Sequence, residues 1–243
     1  MRDVRLIYVA VATAVAMAAV GVYRDNLHEL NAMLQGAYTT MLIVLMSSAL
    51  ALFMAFVAGI SRVFGPWPVR GLSVAYIEVF RGTSLLVQLF WIYFVLPFIG
   101  IKLSPMTAGV LSLGLNIGAY GAEVVRSAIV AVPKVQWEAC KILGLPKRTA
   151  ILSALMPQAL PMMVPTFGNL LIELLKYSAV VSLISVTELT SKARDLGDIG
   201  LGPLVSYSYA IFMYLVLALV LTSLFKISTS RIGQAWRGRS LDQ

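Results

Sequence analysis

Pairs of opposite charge interrupt the apolar stretches of this chain, and ionisable residues in such stretches are candidates for a function by default. The members of each pair are three residues apart, so they share one face if the segment is helical. The pairs are Glu78 with Arg81, Glu123 with Arg126, and Glu173 with Lys176. Because an ionised side chain inside a membrane helix costs roughly 2.5–3.5 kcal/mol, each pair is a candidate functional site.

Glu173 and Lys176 lie deepest in an apolar stretch, and two interpretations of them are equally supported. The pair either neutralises itself inside the protein or binds a zwitterionic solute. An amino acid would need a donor for its carboxylate and an acceptor for its amine, which Lys176 and Glu173 supply. For Glu123 and Arg126 we favour mutual neutralisation at the membrane boundary.

Glu78 and Arg81 are predicted mainly to brace the adjoining loop, with solute contact as the less favoured alternative. Asn116 lies between two glycines, which is more typical of close helix packing through small residues than of a ligand. Asn116 and Ser178 nevertheless complete the set of candidate solute-pathway residues.

Residues 133–157 form the most polar interruption of the chain. Pro133 and Pro146 stand where first helical turns begin, and Gly144 stands where a helix ends, so the segment predicts two short helices joined by a turn. In the first, Ala139 lies beside Glu138, and a small residue next to a carboxylate allows another protein to approach closely. The pattern alone is equally consistent with an ordinary polar loop.

The motifs of the common enzyme classes are absent from the sequence. It has no GxxxxGK[ST] loop, no GxSxG or HExxH motif, and only one cysteine and one histidine, so no zinc site and no intrachain disulfide is expected. We therefore expect no catalytic residue and no metal or cofactor on this chain. Any energy for work must come from an ion gradient or from another subunit.

The composition places these residues in a membrane. Hydrophobic residues make up 59% of the chain and charged residues only 12%, against about 25% in a typical soluble domain. The net charge of +8 is scattered among apolar stretches and not clustered on one face, which argues against nucleic acid as a partner. The chain is predicted to be an all-α, multi-pass membrane protein in contact with the lipid bilayer.

Six apolar stretches predict six membrane-spanning helices, at residues 6–22, 36–60, 83–100, 105–125, 160–186 and 204–225. Residues 61–82 and 187–203 are predicted as loops, and 23–34 as a loop or an interfacial helix. The first stretch also resembles a signal peptide, but we favour an uncleaved span because the run is long and lacks a helix breaker. With the N-terminus in the cytoplasm, fourteen Lys and Arg residues lie inside and four outside. This bias places both termini and residues 133–157 in the cytoplasm.

The order of residues in the polar segment resembles the EAA loop of ABC importer permeases. The matching positions are Trp137, Glu138, Ala139, Cys140, Gly144, Leu145, Ile151, Leu155, Met156 and Pro157. Cys140 replaces the usual alanine and Met156 the usual leucine. Flanking residues 80–88, 118–126 and 176–178 are similar to the polar amino-acid subfamily, with Ser84 in place of a proline. The resemblance covers about residues 30–230.

The resemblance implies a type I importer transmembrane domain at residues 35–230, with a five-helix core. Residues 1–34 would add an N-terminal span and a short periplasmic segment, and 231–243 a basic cytoplasmic tail. The polar segment would dock into an ATPase subunit, which would bind ATP and Mg²⁺. The residues implied in this coupling are Trp137, Glu138, Ala139, Cys140, Lys141, Gly144 and Leu145.

By the same resemblance the chain is expected to be the permease of a bacterial inner-membrane importer for a polar amino acid or a related zwitterion, such as an opine or an ectoine-like solute. Its expected partners are two ATPase subunits, a second permease (a copy or a paralogue) and a periplasmic solute-binding protein. The alternative is an ion-coupled secondary transporter, which predicts inverted repeats that the sequence lacks. A scaffold without transport activity would leave the intramembrane charge pairs unexplained.

Overall fold

The regular elements of the protein are helices, in a computed structural model that describes residues 27–239. The predicted span at 6–22 lies outside the described residues. The helices are α1 (Leu27–Phe64), α2 (Trp67–Gly82), α3 (Leu85–Phe90), α4 (Pro105–Ala131), α5 (Lys134–Ile142), α6 (Lys147–Thr149), α7 (Met156–Tyr177), α8 (Leu189–Leu196) and α9 (Pro203–Arg239). Wider or tighter turns extend several of them: Trp91–Val95 and Leu96–Ile99 follow α3, Ala150–Leu155 joins α6 to α7, and Ser178–Ile184 follows α7.

Four helices among the described residues are long and apolar enough to cross a membrane, and a fifth crossing results if α2 and α3 count as one broken span. Their axes are bent by 108° at the break between Gly82 and Leu85. The sequence prediction was wrong here, because it placed a loop at residues 61–82 and a complete span at 83–100. Arg70, Glu78 and Arg81 interrupt the apolar run of α2, so hydropathy did not reveal this helix.

Two other predicted boundaries are also corrected. Residues 187–203, predicted as a loop, contain helix α8. Residues 27–34, predicted as part of a loop or an interfacial helix, are helical and continuous with the second span, whose predicted start was residue 36. Helix α1 has 38 residues, about 57 Å at 1.5 Å per residue, which exceeds a hydrocarbon core of about 30 Å. Its N-terminal part packs on α8, where Gly36 lies against Leu189.

Helix α4 is the centre of the bundle and is the most buried of the four spanning helices. It packs in parallel against α1 through glycines that let the two backbones approach closely. A Cβ atom at Gly59 would lie 2.7 Å from the Ala122 carbonyl oxygen, and one at Gly121 would lie 2.7 Å from the Ala55 Cβ. Helix α7 packs antiparallel on α4, since Gly109 lies against Val181 and Gly121 lies against Phe167.

A buried carboxylate joins α1, α8 and α9 at the end of the bundle that carries α8. Glu188 is fully buried and caps α8 by accepting a hydrogen bond of 3.0 Å from the Ser191 backbone N–H. The Tyr214 hydroxyl donates to its other oxygen at 2.7 Å, and the Thr40 hydroxyl donates to that oxygen at 3.4 Å. Burial raises the pKa of the Glu188 carboxyl above its usual value, against the hydrogen bonds that favour the charged form.

Glu188→Ala is expected to lower the free energy of unfolding by about 1–3 kcal/mol, because it leaves the Ser191 N–H and the Tyr214 hydroxyl without an acceptor. Glu188→Gln keeps an acceptor and is expected to cost less.

A raised native pKa means that the native state binds more protons, so the contribution of Glu188 to stability falls as the pH rises above about 4.3. Melting temperatures of the detergent-solubilised chain, measured at increasing pH, should fall less steeply with pH in Glu188→Gln than in the unsubstituted chain. An equal slope in both proteins would contradict the assignment.

Candidate functional site

Helix α5 presents one face to solvent and the other to its own chain. Its exposed face carries Val135, Glu138, Ala139 and Ile142. Cys140 is buried on the opposite face, and the half-buried Trp137 stacks on Phe64 at the end of α1, with ring centroids 5.7 Å apart. Of the residues implied in coupling, Glu138, Ala139, Lys141, Gly144 and Leu145 are thus exposed, whereas Cys140 and Trp137 contact the bundle.

The turn after α5 depends on Gly144. This residue has a φ of +62°, a left-handed conformation that glycine adopts without steric cost. The Leu145 N–H donates to the Cys140 carbonyl at 3.1 Å, and the Gly144 N–H donates to the Lys141 carbonyl at 3.0 Å. These bonds complete the end of α5 and direct the chain into α6. An open cleft of about 290 Å³ lies between this turn and α1, and it is lined by Phe64, Cys140, Leu145 and Leu155, among others.

The described ion pairs of the protein all meet at one carboxylate, Glu123. Arg62 of α1 donates to its Oε2 at 2.7 Å, and Arg126 of α4 donates from Nε to its Oε1 at 2.7 Å. The Arg81 guanidinium lies 3.9 Å from Oε2 and stacks over the Tyr120 ring, 5.3 Å from its centroid. The predicted pair of Glu123 and Arg126 is confirmed, but it is part of a larger cluster that carries more positive than negative charge.

The other two predicted pairs do not form in the described structure. Arg81 pairs with Glu123 and not with Glu78, which is exposed on α2, and no loop is present there for the pair to brace. Glu173 accepts a hydrogen bond of 2.8 Å from the Tyr177 hydroxyl, and Lys176 is exposed. The interpretation of Glu173 and Lys176 as a self-neutralising pair is therefore wrong.

Asn116 supports the break between α2 and α3. Its Nδ2 donates to the Phe80 carbonyl at 3.0 Å and to the Gln88 Oε1 at 3.1 Å. Gln88 in turn donates to the same carbonyl at 2.9 Å and to the Thr83 hydroxyl at 2.6 Å. These side chains satisfy a backbone carbonyl that loses its helical partner where α2 ends. Gln88 was not singled out from the sequence; a polar residue in an otherwise apolar run was the available signal.

The remaining pathway candidates lie near this break or on α7. Ser178 is buried, and its hydroxyl donates to the Leu175 carbonyl at 2.7 Å, so it serves the helix. The contacts of Gly109 with Val181 and of Gly121 with Phe167 place Glu173 at about the height of Asn116 along the bundle. Arg81 lies beside Glu123, seven residues along α4 from Asn116. Among the described contacts, no hydrogen bond or ion pair joins Arg81, Asn116 and Glu173 to one another, and none joins Glu78 or Ser178 to them.

Comparison with known proteins identifies the family. Residues 47–234 match the model of the binding-protein-dependent transport system inner membrane component. A probable amino-acid ABC transporter permease, y4tF of Sinorhizobium fredii, is 42% identical over 84% of this chain and 88% of that relative. The L-cystine permease TcyB of Bacillus subtilis is 34% identical over 77% of this chain and 80% of its own length. The glutamine permease GlnP of Escherichia coli is 34% identical over 80% of this chain and 90% of its own length.

Solved structures agree with this relationship. The crystal structure of an amino acid ABC transporter with histidines has a chain that is 30% identical, with a TM-score of 0.78 over 86% of this chain and 98% of that one. A chain of an inward-facing form of the MetNI methionine transporter is 22% identical, with a TM-score of 0.66 over 85% of this chain and 96% of that one. This similarity shows a shared fold. The predicted all-α type I importer fold is confirmed, and a secondary transporter is not supported. The chain belongs to the inner membrane component family of binding-protein-dependent transport systems, as a permease subunit of the amino-acid ABC transporter type.

Proposed function

We propose that this chain forms half of an import pathway for a polar amino acid or a related small zwitterion, and that ATP is hydrolysed on partner subunits. The observation that carries the proposal is the exposed face of α5. Val135 and Ile142 are 70% and 84% exposed there, and they flank the small Ala139 and the carboxylate of Glu138. An exposed apolar face with a central small residue is typical of a site where another protein docks.

The full transporter would contain two ATPase subunits, a second permease and a periplasmic solute-binding protein. ATP and Mg²⁺ would bind to the ATPase subunits, and this chain would carry no ATPase site. The bias of Lys and Arg supports an orientation with α5 and both termini in the cytoplasm. Helix α8 would then lie on the periplasmic side, where the binding protein delivers its solute.

The solute would cross the membrane near the break between α2 and α3. Arg81 is exposed there and offers a guanidinium to a carboxylate, and the half-buried Glu173 offers an acceptor to an amine. The buried Asn116 would act through the break that it supports. Cystine and glutamine, which the names of two relatives carry, are both zwitterions of this kind. Lys176 and Glu78 have less support, because neither forms a hydrogen bond or ion pair among the described side chains. Ser178 also has less support, because its hydroxyl is buried and bonded within its own helix.

Purification of the tagged chain in mild detergent tests the proposal. We expect an ATP-hydrolysing subunit to co-purify with this chain, and Ala139→Trp to remove it by blocking close approach to α5. Ala131→Trp is the matched control, because Ala131 is also exposed but lies at the end of α4. Loss of the ATPase from both variants, or from neither, would contradict docking on α5.

A further inference from the structure

Glu123 of α4 forms ion pairs with one residue of its own helix and with one residue on each of two other helices. Arg62 belongs to α1, Arg126 to α4, and Arg81 to the last turn of α2. With the side chain of Glu123 only 24% exposed, the attraction between these charges is screened less than at an open surface. Removing the negative charge would leave three guanidinium groups close together, so the cluster depends on Glu123 to hold its parts in place.

On one side, Arg62 connects the cluster to the end of α1, which contacts α5. Phe64 follows Arg62 by two residues at the end of α1, and its ring stacks on Trp137 with an angle of 24° between the planes. Phe64 and Trp137 also pack against the apolar cluster that contains Ile129 and Leu155. A displacement of α5 therefore bears on the last turn of α1 through aromatic contact, and this turn carries Arg62.

The other side of the cluster leads to the break between α2 and α3. Arg81 is followed directly by Gly82, where α2 ends, and Ser84 begins α3 as its N-cap. The 108° bend at this point is held by side-chain hydrogen bonds from Gln88 and Asn116 and not by a continuous helix. Such a break can change its angle without loss of regular helical bonds, so it is a natural point of movement.

We propose that Glu123 is a positioning residue that transmits movement of α5 to the break between α2 and α3, through Arg62 on one side and Arg81 on the other. The inference rests on the proposed function, because the movement of α5 is driven by a docked ATPase. It explains why Arg62 and Arg81 are drawn from separate helices to a carboxylate that already pairs with Arg126. A charge pair needed only for neutrality would not require them.

The test measures movement at the break directly. The complete transporter carries Ser84→Cys in this chain, since Ser84 is exposed, and is reconstituted in lipid nanodiscs. The rate at which the new thiol reacts with a water-soluble maleimide is compared between the nucleotide-free state and the state trapped with ATP and vanadate. Peptide mass spectrometry separates this thiol from the buried Cys140. We expect the rate to change about tenfold on trapping, equivalent to about 1.4 kcal/mol.

In Glu123→Gln this change is expected to fall below about twofold while the ATPase still co-purifies and hydrolyses ATP. Glu123→Asp, which keeps the charge, should restore most of it. Trp137→Ala should give a similar loss, and the double variant should add little, because both residues act in one chain of contacts. Asp195→Asn, which removes an exposed carboxylate on α8, is the matched control and should leave the rate change intact.

Three results would overturn the inference. They are an unchanged response in Glu123→Gln, additive losses in the double variant, and no response to trapping in the parent transporter that binds and hydrolyses ATP. A parent chain that binds no ATPase at all would instead contradict the proposed function. Co-purification is therefore measured on every sample.

Discussion

Glu138→Lys is expected to separate ATP hydrolysis from transport. Glu138 is exposed on α5 and forms none of the ion pairs among the described side chains, so its replacement should leave this chain folded. In the proposed transporter the carboxylate contacts the ATPase, and like charges brought together at a protein contact cost several kcal/mol. We therefore expect transport in proteoliposomes to fall at least about tenfold, with ATP hydrolysis retained or lowered much less.

The measurement compares solute uptake and phosphate release in the same vesicles, with glutamine and cystine as the solutes tested. Gln136→Lys is the control, because it also adds a positive charge to an exposed position of α5, and a residue two positions before Glu138 points away from that carboxylate. Wild-type uptake in Glu138→Lys would refute the role of this carboxylate. An equal loss in Gln136→Lys would show a general effect of charge.

Gly59→Ala is expected to have the largest effect on the folded chain. A Cβ atom there would lie 2.7 Å from both the Ala122 carbonyl oxygen and the Val125 Cβ, so α1 and α4 would have to separate. Overpacking of this kind typically costs about 1–3 kcal/mol, and more where the clash is with backbone. We expect a lower melting temperature in detergent and a smaller yield of monodisperse protein.

Gly71→Ala provides a matched control for this prediction. Gly71 lies on an exposed part of α2, and a Cβ atom there meets nothing within 4 Å. Both substitutions raise helix propensity by roughly 1 kcal/mol, so a difference between them reports the contact between α1 and α4. Equal melting temperatures for the two variants would mean that the close approach of these helices does not limit stability.

Much of the local structure of the polar segment at residues 133–157 could be predicted from the sequence, because the residues that begin and end its helices lie close together in the chain. Pro133, Pro146 and Gly144 mark helix ends within a few residues of each other, and the structure confirms the first short helix and Gly144 in the turn after it. The predicted second short helix is wrong as a separate element, because α6 continues through Ala150–Leu155 into α7 without a break. The face shared by Val135, Ala139 and Ile142 also follows from helical periodicity and is exposed as expected. The assignment of this segment to an ATPase contact stays a prediction.

The candidate solute pathway was harder to predict because its contacts join distant parts of the chain. Arg62 and Glu123 are 61 residues apart, and Asn116 and Phe80 are 36 apart, so no spacing rule links them. Pairing by helical periodicity succeeded for Glu123 and Arg126. It failed for Glu78 with Arg81, because a partner on a neighbouring helix lay closer than the one on the same helix.

The sequence by itself determined the membrane class, the family and the turn at Gly144 in the polar segment, since hydropathy, composition and local motifs act over short stretches of chain. Only the tertiary structure decided that α2 and α3 form a bent pair and that three arginines meet at Glu123. The helix angle and the charge cluster depend on how α1, α2 and α4 pack through glycine contacts. Packing between distant segments is set by their combined shapes, and hydropathy along a single stretch does not record it.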